Sequence, residues 1–230
     1  MLERALNYPY TPEEKDFLFV AGGTTQLRDD SVLVNRKAVL AVGSNRSPEQ
    51  LLRKFGDSET IPVTKARLWD YDVFYSAHVA SYGSIPAVLG GAVGTVVDVF
   101  VTWLLPHQLQ RMHETEAVGK SYDYAESSSL RIELGSNRMV HNIGCYLGRR
   151  GYANFDGSPV ALKEVNALNR KVSSADQKTA LTYFYKKNRR GKSFDKWLEE
   201  IIRNHNFRAQ ISTELASSAI KDELLDFEVK

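Results

Sequence analysis

The run Ile61–Tyr75 (IPVTKARLWDYDVFY) constrains the fold most. It is dense in β-branched and aromatic residues, which fit a pleated surface. Other strand signals surround it. Residues 37–42 are a short apolar run suited to a buried strand. Residues 96–103 alternate, with Val97, Val99, Val101 and Trp103 on one face and Asp98, Phe100 and Thr102 on the other. Residues 129–134 and 139–147 form a further pair, joined by a hairpin turn at Gly135-Ser136-Asn137. The glycine-dense stretch 90–94 reads as a turn, since it lacks the strand-before, helix-after setting of a nucleotide fingerprint.

Helices interrupt and follow these strands. Ser47-Pro48-Glu49-Gln50 is a helix start, with Ser47 as N-cap, Pro48 in the first position and Gln50 closing a capping box. Gly56 ends that helix, and a second runs from Pro106 to about Glu116. Residues 176–186, 193–204 and 207–225 are three more helical segments. In the middle one, Phe194, Trp197, Leu198, Ile201 and Ile202 follow the stripe of a buried helix face. Near the N-terminus, Thr11-Pro12-Glu13-Glu14 has the form of a short helix start, and residues 21–30 read as loop. A β-rich body followed by packed helices is an α+β layout. With 230 residues the chain allows one large domain or two small ones. The motifs run into the C-terminal third, which favours one: an N-terminal arm over 1–36, a core domain over 37–204, and a helical extension over 205–230 packed on that same domain.

Charge and cysteine content exclude several classes. Lys and Arg number 30 against 28 Asp and Glu, a net charge of +2, which argues against a chain-wide nucleic-acid surface. The single cysteine, Cys145, cannot make an internal disulfide or alone fill a zinc site; in its apolar strand it reads as an inert core thiol. The five histidines are scattered without a metal-ligand spacing, so no metal is expected. The most apolar stretch, 92–105, is interrupted by Asp98 and too short to span a bilayer. The N-terminus lacks the apolar core of a signal peptide, so a cytoplasmic location and no membrane partner are expected.

Two features carry chemistry. Gly43-Ser44-Asn45 lies between the strand ending at Val42 and the helix starting at Ser47. Such a junction lets backbone approach a ligand and offers amides to an anion; the triplet equally suits a plain connecting turn. Glu116 is the second. Leu105, Leu109, Met112 and Glu116 recur at helical spacing, which turns Glu116 inward at the end of an apolar stripe. Partial desolvation there favours the neutral acid, a setting suited to general acid/base work; a frayed helix end would instead release Glu116 to solvent. His113 and Glu114 fall on other faces and read as solvated. The stretch 183–192 (YFYKKNRRGK), which includes the basic segment from Lys186 to Lys192, mixes aromatics and cations; it reads as a solvated loop or as a local site for an acidic partner.

Several strings resemble the γ-glutamylcyclotransferase-like family. AVGSNRSPEQL resembles the Tyr-Gly-Ser-Asn loop that opens it, and Ala66-Arg67-Leu68 followed by Asp70-Tyr71 resembles the next strand. Ile85-Pro86-Ala87-Val88-Leu89, then Gly94-Thr95-Val96-Val97, Leu109 and MHETEA, follow in the family's order, the last resembling a Leu-Asp-x-x-Glu-Gly pattern. SFDKWLEEII is similar to a late Tyr-Leu-x-x-Ile-Ile element, so the resemblance spans about 38–202. It implies a small mixed β-barrel with surrounding helices, and release of 5-oxoproline from a small-molecule γ-glutamyl substrate by intramolecular aminolysis, without cofactor. Carried over by position, Glu116 matches the catalytic glutamate, and Val42, Gly43, Ser44, Asn45 and Arg46 match the substrate loop. Tyr122 or Tyr124 falls where the family has a substrate-side tyrosine.

Four departures stand out. Val42 replaces the loop tyrosine, and Arg46 an apolar residue, where it could meet a substrate carboxylate. His113 replaces an aspartate and Ala117 a glycine. Two other readings remain open on these residues: an amide hydrolase or acyltransferase on the same scaffold, and a non-catalytic module that binds through the Lys186–Lys192 segment.

Overall fold

A computed structural model describes residues 1–188, 191–222 and 226–230. The chain opens with α1 (Leu2–Leu6) and a hairpin of β1 (Phe17–Val20) and β2 (Gly23–Gln26). Ala21 and Gly22 at its tip both have positive φ, 51° and 72°, as a tight two-residue hairpin loop demands. The stretch expected as loop over 21–30 therefore contains a strand. The helix expected at Thr11–Glu14 does not form; Glu13 instead accepts a 2.8 Å hydrogen bond from Thr24 Oγ1, and the segment offers no apolar face to bury.

β3 (Lys37–Ala41) passes through one 3-10 turn (Ser44–Arg46) into α2 (Pro48–Phe55), which Gly56 ends at φ 73°. Ser47 is the N-cap residue, but its side chain makes no capping bond; its hydroxyl is buried without a partner among the described residues. Next come β4 (Ile61–Tyr75), β5 (Ala87–Leu104), α3 (Pro106–Thr115), β6 (Tyr122–Ser127), β7 (Ile132–Leu134) and β8 (Ile143–Gly148). Three two-residue strands follow, β9 (Ala161–Leu162), β10 (Ala167–Leu168) and β11 (Ser174–Ala175). The chain ends with α4 (Gln177–Asn188), α5 (Phe194–Arg203), α6 (His205–Ser217) and β12 (Glu228–Val229).

The strands form one mixed sheet in the order β11-β9-β4-β5-β3-β8-β6-β12, with β1 and β7 also on β4, β10 on β5 and β2 on β1. The β3–β8 and β9–β11 pairs are parallel and the others antiparallel. This is the α+β class read from the sequence. The ladder is an open path among the described residues, so the implied barrel is not closed by hydrogen bonds. Its ends, β11 and β12, are two residues each, too short to form a ladder of useful length with each other.

The spine is β4 against β5, paired from Val63↔Thr102 to Tyr75↔Ala87 with an irregularity between Trp69 and Tyr71. There Asp70 sits at φ 66° and its Oδ1 accepts from the Gly94 amide at 2.8 Å. The glycines at 90–94, expected as a turn, thus lie inside β5. Gly90 is required by packing: a Cβ would fall 2.5 Å from the Tyr152 hydroxyl and 2.6 Å from the Phe74 ring. The 135–137 turn does form, with Asn137 at φ 59°, but beyond the Glu133↔Met139 bridge the chain leaves it and β8 pairs with β6 and β3.

Both sheet faces are covered. Trp197, Leu198 and Ile201 of α5 are fully buried, each contributing about 1.5–3 kcal/mol by transfer from water. Phe194 and Ile202 flank them half-buried. A second cluster joins Phe19, Leu51, Ile61, Phe100, Leu104 and Met112, so it holds α2 and α3 against the sheet. Asp72, 1% exposed, takes two hydrogen bonds from Arg170, at 2.7 and 2.8 Å. α6 stops at Ser217, short of the expected helix end, whose residues 223–225 lie outside the described residues. The tail instead returns to the sheet: Ile220 bridges Tyr152, Asp222 accepts from the Tyr152 hydroxyl at 2.7 Å and Asp226 from that of Tyr71 at 2.6 Å.

Candidate functional site

The end of α3 explains where Glu116 goes. Pro106 starts the helix and Met112 anchors its buried face. The Glu116 amide closes the last turn onto Met112 O at 3.0 Å, and Ala117 then turns the chain away at φ 51°. A left-handed residue after the C-cap is where glycine is free of strain, so alanine is tolerated here at a small cost. Glu116 is left at the helix tip with its side chain 15% exposed.

It opens on a cavity of about 330 Å³. Val42, Gly43, Ser44 and Asn45 line the same cavity. Asn45 Nδ2 donates to Glu116 Oε1 at 2.8 Å, so the loop and the carboxylate meet in space. The Lys54 ammonium also donates to Oε1, with Met112 Sδ 3.4 Å away. Lys54 lies one turn after Gln50 on α2, and Arg111 Nε donates to Lys54 O at 2.9 Å, tying α2 to α3. Both bonds to Glu116 fall on Oε1; among the described residues Oε2 makes none. Asn45 Oδ1 and Gln50 Oε1 are buried in the cavity wall without donors among the described residues. Two unpaired acceptors beside a carboxylate suit a ligand that brings N–H donors.

The other expected residues divide. Tyr122 lines the cavity and its hydroxyl donates to Ala87 O at 3.2 Å. Tyr124 lies behind the wall, its ring 4.6 Å from that of His113 and its hydroxyl on Glu126 at 3.3 Å. Arg46 does not line the cavity. It is 3% exposed, donates to Glu164 O at 2.9 Å and sits 5.8 Å from the Phe100 ring centre, so it faces away from any substrate carboxylate there. His113, read as solvated, is half-buried instead, with Nδ1 2.9 Å from the Tyr146 hydroxyl; Tyr146 itself lines the cavity. The β8 residue Cys145 is a buried thiol pushed up to about 12 by burial. The Lys186–Lys192 segment lies partly outside the described residues; Lys187 pairs with Asp156 and Lys192 with Glu200.

Tyr8, Tyr82, His78, Gln50 and Lys54 line the cavity, and none of them was read from the sequence as a site residue. Burial raises the Tyr8, Tyr82 and Tyr122 hydroxyls above their ordinary value, so they stay protonated donors. His78 is pushed down to about 4, first by burial and then by Arg150, and its Nδ1 is 2.8 Å from Ser76 Oγ. It is therefore a neutral imidazole at pH 7. Because the unfolded chain binds this proton more readily, its contribution is complete above about pH 6.5 and is lost as pH falls toward 4. Thermal melts of the wild type should lose up to about 3 kcal/mol across that window from this residue. His78→Gln should flatten the slope; an unchanged slope would remove His78 as its cause.

Among the described residues no group of three or more His, Cys, Asp or Glu side chains is placed to hold a metal ion. Among the described residues no helix is long and apolar enough to cross a membrane.

No protein-family profile matches the chain, and no curated protein matches its sequence. Three solved structures show a distant likeness to the chain. A gamma-glutamyl cyclotransferase is 12% identical with a TM-score of 0.42, over 85% of this chain and 94% of that one. The uncharacterized protein loc79017 from Homo sapiens is 13% identical with a TM-score of 0.43, again over 85% and 94%. At5g39720.1 from Arabidopsis thaliana is 12% identical with a TM-score of 0.41, over 67% and 86%.

Proposed function

We propose that this chain is an enzyme that releases 5-oxoproline from a γ-glutamyl amine or peptide by intramolecular aminolysis. The observation that supports it is the Glu116 carboxylate, held by Asn45 and Lys54 in one cavity with the Val42–Asn45 loop. The substrate α-ammonium meets Glu116 Oε2 and the unpaired oxygens of Asn45 and Gln50. Glu116 takes a proton from it, which frees the nitrogen lone pair. That nitrogen attacks the γ-carbonyl of its own glutamyl group and closes a five-membered ring. Amides of Gly43, Ser44 and Asn45 hold the carbonyl oxygen as charge develops on it. Glu116 then returns the proton to the leaving nitrogen as the old C–N bond breaks, takes the second proton from the ring nitrogen and passes it to the departing amine, which leaves as an ammonium. The products are 5-oxoproline and a free amine, with no net proton change at Glu116. Because attacker and target belong to one molecule, a walled cavity that fixes the ring-closing conformer gains much of the rate from positioning alone.

The test is incubation of the purified chain with a panel of γ-glutamyl amines, amino acids and dipeptides, with products read by mass spectrometry. Release of 5-oxoproline is the expected result. Free glutamate from the same panel would select hydrolysis, and a new γ-glutamyl amide would select acyl transfer. Absence of turnover across the panel removes the enzymatic reading. Salt-sensitive binding to an acidic polymer that ignores Glu116 replacement would then favour the binding module.

A further inference from the structure

The N-terminal arm carries one residue into the middle of the site. α1 ends at Leu6, and the chain then places Tyr8, 4% exposed, in the cavity wall beside Gly43. The Ala87 amide donates to the Tyr8 hydroxyl oxygen at 2.8 Å. That bond fixes the oxygen but uses only a lone pair, so the phenol keeps its own proton to give. Among the described residues no acceptor takes it. The Val42–Asn45 loop is also close: a Cβ built on Gly43 would fall 2.4 Å from the Tyr8 oxygen and 3.1 Å from the Ala87 Cβ. Gly43 is thus a position where a side chain would displace that hydroxyl.

The arm is clamped in place on both sides of Tyr8. Ser84 Oγ donates to Ala5 O at 2.8 Å. The Tyr8 ring stacks on Tyr82 at 6.3 Å and meets Tyr10 edge-on at 5.9 Å. Tyr82 belongs to the loop before β5 and also lines the cavity. The hydroxyl is therefore preorganised rather than free to swing, which is what makes a single donor effective in a desolvated site. A solvated arm would place no hydroxyl here.

We infer that Tyr8 is a substrate-contacting residue, whose hydroxyl donates a hydrogen bond to an anionic oxygen of the γ-glutamyl group beside the Gly43–Asn45 amides. The arm is thereby part of the active site. This inference rests on the proposed aminolysis, whose product, 5-oxoproline, keeps one carboxylate and one amide carbonyl as acceptors.

The test uses the full chain, Tyr8→Phe, Gly43→Ala and Glu116→Gln, with two readouts: 5-oxoproline release, and calorimetric binding of 5-oxoproline itself. Tyr8→Phe keeps the ring and its stacking and removes only the hydroxyl. It should lower kcat/KM roughly 10- to 100-fold and weaken 5-oxoproline binding roughly tenfold, with far-UV circular dichroism unchanged. Gly43→Ala should lower both in the same direction by displacing the hydroxyl. Glu116→Gln should lose turnover while keeping product binding, which separates the two roles. Wild-type turnover with Tyr8→Phe within twofold on both readouts overturns the Tyr8 assignment alone. Neither turnover nor 5-oxoproline binding by the wild type overturns the aminolysis reading, and the Tyr8 assignment falls with it.

Discussion

Glu116→Gln should leave a folded chain that has lost about 10²–10⁴ of its 5-oxoproline release, the range for removing a general acid/base. The amide is nearly the same size as the carboxylate, so Met112 and the end of α3 keep their packing. Asn45 Nδ2 still finds an oxygen if the amide is turned toward it. What disappears is the capacity to take a proton from the substrate ammonium and return it to the leaving nitrogen. The decisive measurement pairs a product assay with a thermal melt. Loss of turnover with a melting temperature near wild type supports the role. Loss of both identifies Glu116 as a structural residue, because the Lys54 ammonium would then be buried without its counter-charge. Retention of turnover transfers the proton chemistry to another group, and the neutral His78 in the same wall is the first to examine.

Periodicity made much of this legible. The stripe Leu105, Leu109, Met112, Glu116 placed the carboxylate at the inner end of α3, and the structure brings it onto Asn45. The stripe of α5 and the bounds of β4 followed from residue type alone, because helix period and strand density are local properties. Long-range geometry was not local, and the errors cluster there. Arg46 is next to the loop in sequence, but the single 3-10 turn rotates it to the far side, where its guanidinium finds Glu164 O. Gly90 is a packing glycine and not a turn glycine, and only the Phe74 and Tyr152 rings across the sheet reveal that. Tyr8 is 35 positions from Gly43 in the numbering, and nothing in the arm announces that its hydroxyl ends beside that residue. Lys54 had a weak signal that could have been used: it lies four residues after Gln50, on the helix face that a Gly-loop junction turns toward its ligand.

That lysine supports the second large prediction. Lys54 is 6% exposed as a side chain and gives its ammonium to Glu116. An interior cation is retained at a desolvation cost that only close pairing offsets. Here the pairing has a geometric consequence, because Lys54 and Asn45 converge on Oε1 and leave Oε2 without a bond among the described residues. Lys54→Met keeps an unbranched stem beside Met112 but removes that second anchor. The carboxylate then rotates about a single hydrogen bond, and kcat should fall about 10- to 100-fold, since small misplacements of a reacting group cost that much. Stability should fall by roughly 1–3 kcal/mol, less than for a fully enclosed pair, because Glu116 faces the cavity and can be solvated there. Urea denaturation read beside turnover tests both halves. A fall in stability with kcat unchanged makes Lys54 a packing residue, and Asn45 alone then orients the acid. A fall in kcat that Lys54→Arg partly restores makes the cation a positioning residue, since arginine returns the charge at a slightly different reach. A variant that is both as stable and as active as wild type would show that the Lys54–Glu116 contact contributes to neither, and the orientation argument would be wrong.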